Sequence, residues 1–164
     1  MAERIRPAEA RDLNQLVEIY NHYITETHVT FDTIPFAVGE RTQWFTQFSE
    51  SGPLRLLVTE IDGVIAGYAS SSPFKPKPGY STSVETSIYL DPDYIGQGLG
   101  LPLYGRLLEE LCGEDSVHRA YGGVALPNPA SVALHEQLGF VQVATYHEVG
   151  YKLGRFWDVS WYER

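Results

Sequence analysis

Cationic side chains are the scarcest chemistry in this chain. Twelve Lys and Arg face twenty-one Asp and Glu, for a formal net charge of −9 and a pI near 4.9. That balance argues against nucleic acid or an anionic membrane as partner. No Lys or Arg occurs between Lys77 and Arg106, so an anion bound there must be held by main-chain amides. The single cysteine, Cys112, excludes an internal disulfide. Set among Leu107, Leu108 and Leu111, it reads as a buried small hydrophobe. No apolar run reaches membrane-spanning length, and the start Met1-Ala2-Glu3-Arg4 has no signal-peptide core. A cytoplasmic protein is expected. His22, His28, His118 and His147 show no metal-ligand spacing, so no metal is expected.

What is present suits one globular domain over residues 1–164: 43% of the residues are hydrophobic and 20% charged. Ile5-Arg6 reads as a first strand. Asp12 caps a helix whose Leu13, Leu16, Val17, Tyr20, Tyr23 and Ile24 follow helical spacing. Phe31 to Pro35 is a linker, and a second helix carries Arg41, Trp44, Phe45 and Phe48 up to Gly52-Pro53. Strands follow at Leu54 to Glu60 and Val64 to Ser70, joined by the hairpin signal Asp62-Gly63. A Pro/Lys loop runs from Pro73 to Pro78. Then come a strand (Val84 to Leu90), a helix (Leu99 to Cys112), a strand (His118 to Leu126) and a short helix from Asn128 to Gly139. Phe140 to Val149 and Phe156 to Tyr162 close the sheet. The order is mixed α/β, a hairpin-rich half followed by a β-α-β-α-β half.

The densest chemistry lies where the strand carrying Glu85 runs into Ile95-Gly96-Gln97-Gly98-Leu99-Gly100-Leu101. The glycines allow positive φ and close backbone approach. Pro102 fits the first helical turn, where a missing N–H costs little. The amides of Gln97 to Leu101 are then free at a helix N-terminus, an anion site. A triphosphate-binding loop would need Lys and Ser/Thr after its last glycine, and the chain has Leu101-Pro102. The dinucleotide pattern G-x-G-x-x-G fails as well. A plain strand–helix connection is the competing reading.

These residues resemble the GNAT superfamily of N-acetyltransferases, in its phosphinothricin and methionine sulfoximine acetyltransferase branch. The resemblance rests on Ile19-Tyr20-Asn21, Thr30-Phe31-Asp32-Thr33 with Pro35, and Val84-Glu85-Thr86-Ser87-Ile88-Tyr89. It continues through Gly96-Gln97-Gly98-Leu99-Gly100, Pro127-Asn128 with Ser131, Leu134-His135-Glu136, Leu138-Gly139-Phe140 and Gly154 to Val159. It implies a mixed, mostly antiparallel central sheet with splayed central strands, flanked by helices. It implies acetyl-CoA as donor, with the pantetheine arm along Ile88, Tyr89 and Leu90, the pyrophosphate on Ile95 to Leu101, and Asn128 touching the arm. Ile95 stands where the superfamily usually has Gln or Arg, which removes a side-chain phosphate contact; Arg106 is a candidate to replace it.

Acetylating an amine requires removing a proton from an ammonium group, donors for an oxyanion and a proton for the departing thiolate. Glu85 is the base candidate, against the reading of a solvated strand residue. His135 stands where the branch carries its thiolate partner, against the reading of a core histidine; Tyr89 and Tyr104 are fallback donors. Phe31, Phe74 and Tyr80 are candidate walls of an acceptor pocket, with Trp157 nearby. Arg155, Lys75, Lys77 or Lys152 could pair a substrate carboxylate. Ser81 replaces an Arg of the sulfoximine relatives. The aromatic tail, Phe156-Trp157 and Trp161-Tyr162, suggests a homodimer interface that also borders the pocket. The expected reaction is acetyl transfer to a small amino-acid-like amine; a polyamine, a protein N-terminus or a non-catalytic CoA-binding dimer are the alternatives.

Overall fold

A computed structural model describes residues 3–164; Met1 and Ala2, part of the polar start read above, lie outside the described residues. Its frame is one seven-stranded sheet, ordered β1-β2-β3-β4-β5-β7-β6. The strands are β1 (Glu3–Pro7), β2 (Leu56–Ile61), β3 (Val64–Pro73), β4 (Ser83–Leu90), β5 (Arg119–Ala125), β6 (Val141–Lys152) and β7 (Arg155–Glu163). The helices are α1 (Leu13–Glu26), α2 (Thr42–Phe45), α3 (Gly100–Cys112) and α4 (Pro129–Gln137). Every pairing is antiparallel except β4 with β5.

That one parallel pairing decides where a ligand can enter. β4 and β5 are in register only from Ser83↔Arg119 to Glu85↔Tyr121. Beyond Glu85, β4 stays on β3 as far as Leu90, while β5 stays on β7 as far as Ala125. The two strands part, and a wedge opens in the middle of the sheet.

Helices pack on both faces of the sheet around that wedge. α3 covers one face of the sheet with Leu103, Tyr104, Leu107, Leu108 and Leu111, all buried. Each such leucine contributes about 1.5–3 kcal/mol of burial. α1 covers the other face with Leu16 and Ile19 against Val58, Ile65 and Tyr68. The β2–β3 turn has Asp62 at φ 48° and Gly63 at φ 86°, the left-handed pair that a two-residue hairpin requires.

Several local expectations are corrected. Cys112 is exposed: it follows the buried Leu111 by one residue, about 100° around the helix, at the helix end. Asp12 does not cap α1. Its carboxylate takes the Glu9 amide at 2.7 Å and the Arg6 guanidinium at 2.7 Å, closing the 3₁₀ turn that precedes α1. Burial pushes that carboxyl up, but the Arg6 pairing and the Glu9 amide outweigh it and hold it below its ordinary value. The second helix shrinks to four residues, Thr42–Phe45, and Phe48 lies beyond it. β6 extends to Lys152, past the expected Val149, across an irregularity between Tyr146 and Gly150 where Glu148 takes φ 52°.

Candidate active site

Alternation along β4 sorts its side chains between two cavities. Glu85, Ser87 and Tyr89 border a cavity of about 670 Å³ on the α1 face of the sheet. The wedge itself forms a cleft of about 380 Å³ that takes in Thr86, Ile88 and Leu90 with Ile95, Asn128 and His135. Ser87, Tyr89, Val29, Gly123 and Ala125 border both, so the two spaces meet at the parting of β4 and β5.

The cleft ends near the glycine turn. Gly96 and Gly98 have φ 82° and 81°, with open space where a Cβ would stand. α3 begins at Gly100 with Leu99 at its N-cap and no side-chain cap. Leu103 donates the first helical bond to the Leu99 carbonyl. Among the described residues, no hydrogen bond takes the amides of Gln97, Gly98, Leu99, Gly100 or Leu101. Such a run of free N–H groups at a helix start fits a diphosphate. Leu99 itself is buried against Ile61 and Ala66, which anchors the turn. Arg106 is ion-paired with Glu110 at 2.9 Å, four residues along α3.

On the opposite wall, Asn128 caps α4: its side chain accepts from the Ser131 amide at 3.1 Å. α4 thereby presents Ser131, Leu134 and His135 to the cleft. His135 is 4% exposed. Burial pushes its pKa down, only partly offset by the bond to the Ser131 carbonyl. Tyr104, a fallback donor, does not line the cleft but lies beneath it, 3.2 Å from His135 Nε2. Tyr23 donates its hydroxyl to the Leu90 carbonyl at 2.5 Å, so that acceptor already has one partner.

In the larger cavity, Glu85 is the acidic residue of the wall, and no Lys or Arg lines it. Among the described residues the Glu85 carboxylate has no hydrogen-bond or ion-pair partner, and burial pushes its pKa up. The walls are Tyr20, Phe31, Tyr146, Tyr151 and Trp161. Tyr20 donates to Asp32 and lies 2.8 Å from the Thr30 hydroxyl. Its phenol is pushed up to about 12 by burial and by the neighbouring Asp32.

Of the sequence candidates for this cavity's aromatic and cationic walls (Phe31, Phe74, Tyr80, Trp157, Arg155, Lys75, Lys77 and Lys152), only Phe31 lines it. Phe74 stacks on Tyr121 at 4.3 Å and meets Trp161 edge-on, behind the wall. Tyr80 packs on Phe74, and Lys75 sits over both rings. Arg155 lies on the Trp157 ring at 4.1 Å, away from the lining. Lys152 is not a surface cation. It is buried and donates to the carbonyls of Thr30 at 2.7 Å and Tyr23 at 3.2 Å, tying β6 to α1 and to the segment after it. Burial lowers its pKa. Trp161, from the aromatic tail, lines the cavity, and so do Tyr146 and Tyr151, which read in the sequence as ordinary strand aromatics. The one available signal was the dense aromatic content of the last third of the chain.

Among the described residues, no group of three or more His, Cys, Asp or Glu could hold a metal ion, and no helix is long and apolar enough to cross a membrane.

Comparison with known proteins converges on one chemistry. Residues 16–140 match the model of the acetyltransferase (GNAT) family. A phosphinothricin N-acetyltransferase of Streptomyces coelicolor is 51% identical over 98% of this chain and 95% of its own length. An L-methionine sulfoximine/L-methionine sulfone acetyltransferase of Salmonella typhimurium is 35% identical over 95% of this chain and 90% of its own. An acetyltransferase structure from Salmonella typhimurium, solved with its cofactor acetyl-CoA, superimposes with a TM-score of 0.93 at 33% identity. It covers 100% of this chain and 94% of its own.

Proposed function

This chain belongs to the GNAT family of acetyltransferases, and on that premise we propose that its aromatic cavity receives the free amine of a small amino-acid-like substrate, of the phosphinothricin or methionine sulfoximine type. The chain is an acetyl-CoA-dependent N-acetyltransferase. The carrying observation is Glu85: an unpartnered, half-buried carboxylate in the wall of the acceptor cavity, on the strand where that cavity meets the cofactor cleft.

The free amides of Gln97 to Leu101 suit the cofactor's diphosphate, and Ile88, Tyr89 and Leu90 border the path of its arm. Acetyl-CoA, when bound, would supply the thioester carbonyl that the amine attacks. Glu85 accepts the proton of the substrate ammonium, directly or through a water; its raised pKa makes it a stronger base than an exposed carboxylate. Aromatic walls stabilise the cationic form of the amine as it enters. His135 borders the cleft and in this reading supplies the proton for the departing thiolate. The 164 residues act in this reading as one cytoplasmic domain, without nucleic-acid or membrane partners, in keeping with the net charge of −9.

A homodimer is part of the same proposal. β6 is an edge strand, and Val141, Val143, Tyr146, Val149 and Tyr151 are each about half exposed or more. A second copy seated on that face would bury them and border the acceptor cavity.

One observation favours a second acceptor class. The cavity lining holds Glu85 and no Lys or Arg, which suits an amine without a carboxylate, such as a polyamine. Thiol release from acetyl-CoA, measured against phosphinothricin, methionine sulfoximine, neutral amino acids and spermidine, separates the two. Turnover with amino-acid analogues supports the first reading. Turnover with spermidine alone replaces it, and no turnover with any amine overturns both.

A further inference from the structure

Between the two walls of the cofactor cleft runs a buried hydrogen-bond chain for which the reading above has no use. We infer that Thr86 and Tyr104 are positioning residues that let His135 take up and release a proton at Nε2 without any heavy atom moving.

The other ring nitrogen fixes the tautomer. His135 Nδ1 lies 2.7 Å from the Ser131 carbonyl oxygen, which can only accept, and 3.4 Å from the Ser131 hydroxyl, the longer and weaker of the two contacts. Nδ1 therefore carries a hydrogen in both charge states, and Nε2 is the nitrogen that titrates. Nε2 lies 3.2 Å from Tyr104 Oη, Tyr104 Oη lies 2.6 Å from Thr86 Oγ1, and Thr86 Oγ1 lies 3.1 Å from the Tyr121 carbonyl. Tyr104 is fully buried and its phenol is pushed up, so its hydroxyl stays protonated.

Two proton arrangements satisfy this chain. With neutral imidazole, the Tyr104 hydroxyl donates to Nε2, and the Thr86 hydroxyl donates to Tyr104 Oη or to the Tyr121 carbonyl. With imidazolium, Nε2–H donates to Tyr104 Oη, the Tyr104 hydroxyl turns to Thr86 Oγ1, and the Thr86 hydroxyl donates to the Tyr121 carbonyl. The carbonyl at the end of the chain is what makes the charged state complete. Buried polar groups left unpaired are costly, so a chain satisfied in both states lowers the cost of changing charge.

The surroundings fix the ring but do not supply a counter-charge. A Cβ at Gly122 would stand 2.5 Å from Nε2, so the imidazole lies against bare β5 backbone. Phe140 and Tyr162 pack on the ring at 5.0 and 5.4 Å. Glu136 neighbours it on α4, and Glu85 acts on Tyr104 from β4. Among the described residues no ion pair reaches the ring. Thr86 and His135 both border the cleft, and Tyr104 joins them from below.

The kinetic part of the test rests on the acetyl-transfer reading; the spectroscopic part does not. Nitrogen NMR of histidine-labelled full-length protein reads the His135 tautomer and its titration directly. The wild type is expected to show the Nδ1–H tautomer when neutral. Thr86→Val, which removes the end of the chain, should lower the His135 pKa, and Thr86→Ser should restore it. Tyr104→Phe should lower kcat about tenfold or more, with the KM for acetyl-CoA within about twofold of wild type. An Nε2–H tautomer in the wild type overturns the inference, even if every variant misfolds. So does a His135 titration that is the same in Thr86→Val and the wild type. If no amine is acetylated, the acceptor proposal fails while the NMR result still decides this one.

Discussion

Phe31 lies directly on the bare backbone of Gly150. A Cβ at position 150 would stand 2.2 Å from Cε1 and Cζ of the Phe31 ring. Both residues border the acceptor cavity, and they come from segments about 120 positions apart. Gly150→Ala is therefore expected to push Phe31 into the cavity or off the sheet. Overpacking of this kind costs about 1–3 kcal/mol. The KM for the amine should rise about tenfold, with the KM for acetyl-CoA unchanged, in initial-rate assays varying each substrate.

Glu85→Gln keeps the shape and removes the proposed base. A fall in kcat of about 10²–10⁴ is expected, with coenzyme A binding by calorimetry unaltered. Equal kcat in the two proteins would remove Glu85 from the mechanism.

The same carboxyl predicts two opposite pH effects. Burial raises its folded-state pKa, so the ionised form that the proposed base role requires is lost on the acid side at a pH above the ordinary carboxylate value. The kcat/KM profile should show an acid limb there that Glu85→Gln lacks. For stability the sign reverses. The folded state binds this proton more tightly than the unfolded chain, so stability falls as pH rises through the window between the two pKa values. Glu85→Gln should melt higher than wild type at neutral pH, and the gap should close once both states are protonated.

Gly98→Ala tests the amide cradle through backbone alone, since a Cβ there meets nothing within 4 Å. With φ at 81°, an L side chain costs about 1–2 kcal/mol in that conformation. A rise of about tenfold in the Kd for coenzyme A is expected, with kcat at saturation retained.

Val143→Glu places a charge on the exposed face of β6, outside the lining of either cavity. Sedimentation should show the dimer shifted to monomer, with circular dichroism unchanged. A wild type that sediments as a monomer would end the dimer proposal.

The parts of the site carried by contiguous sequence were legible. The glycine turn, the Asn128 cap of α4 and the strand bearing Glu85 each depend on local backbone sterics or on a period of two. Side chains whose setting depends on distant partners were not. Lys152 reads as a candidate partner for a substrate carboxylate until its ammonium meets the carbonyls of Tyr23 and Thr30, more than 100 residues earlier. Phe74 reads as a pocket wall until Tyr121 stacks on it. Cys112 reads as core because its neighbours are leucines, yet one step around the helix takes it to solvent.

Composition and local pattern by themselves determined that this chain carries an acidic strand residue beside a lysine-free amide cradle, because torsional preference and side-chain alternation act over a few residues. Only the tertiary structure decided that β4 and β5 separate after Glu85, that Phe31 rests on Gly150, and that His135 is wired through Tyr104 to Thr86. Those facts depend on strand order and on packing between segments far apart in the chain, which no short-range pattern encodes.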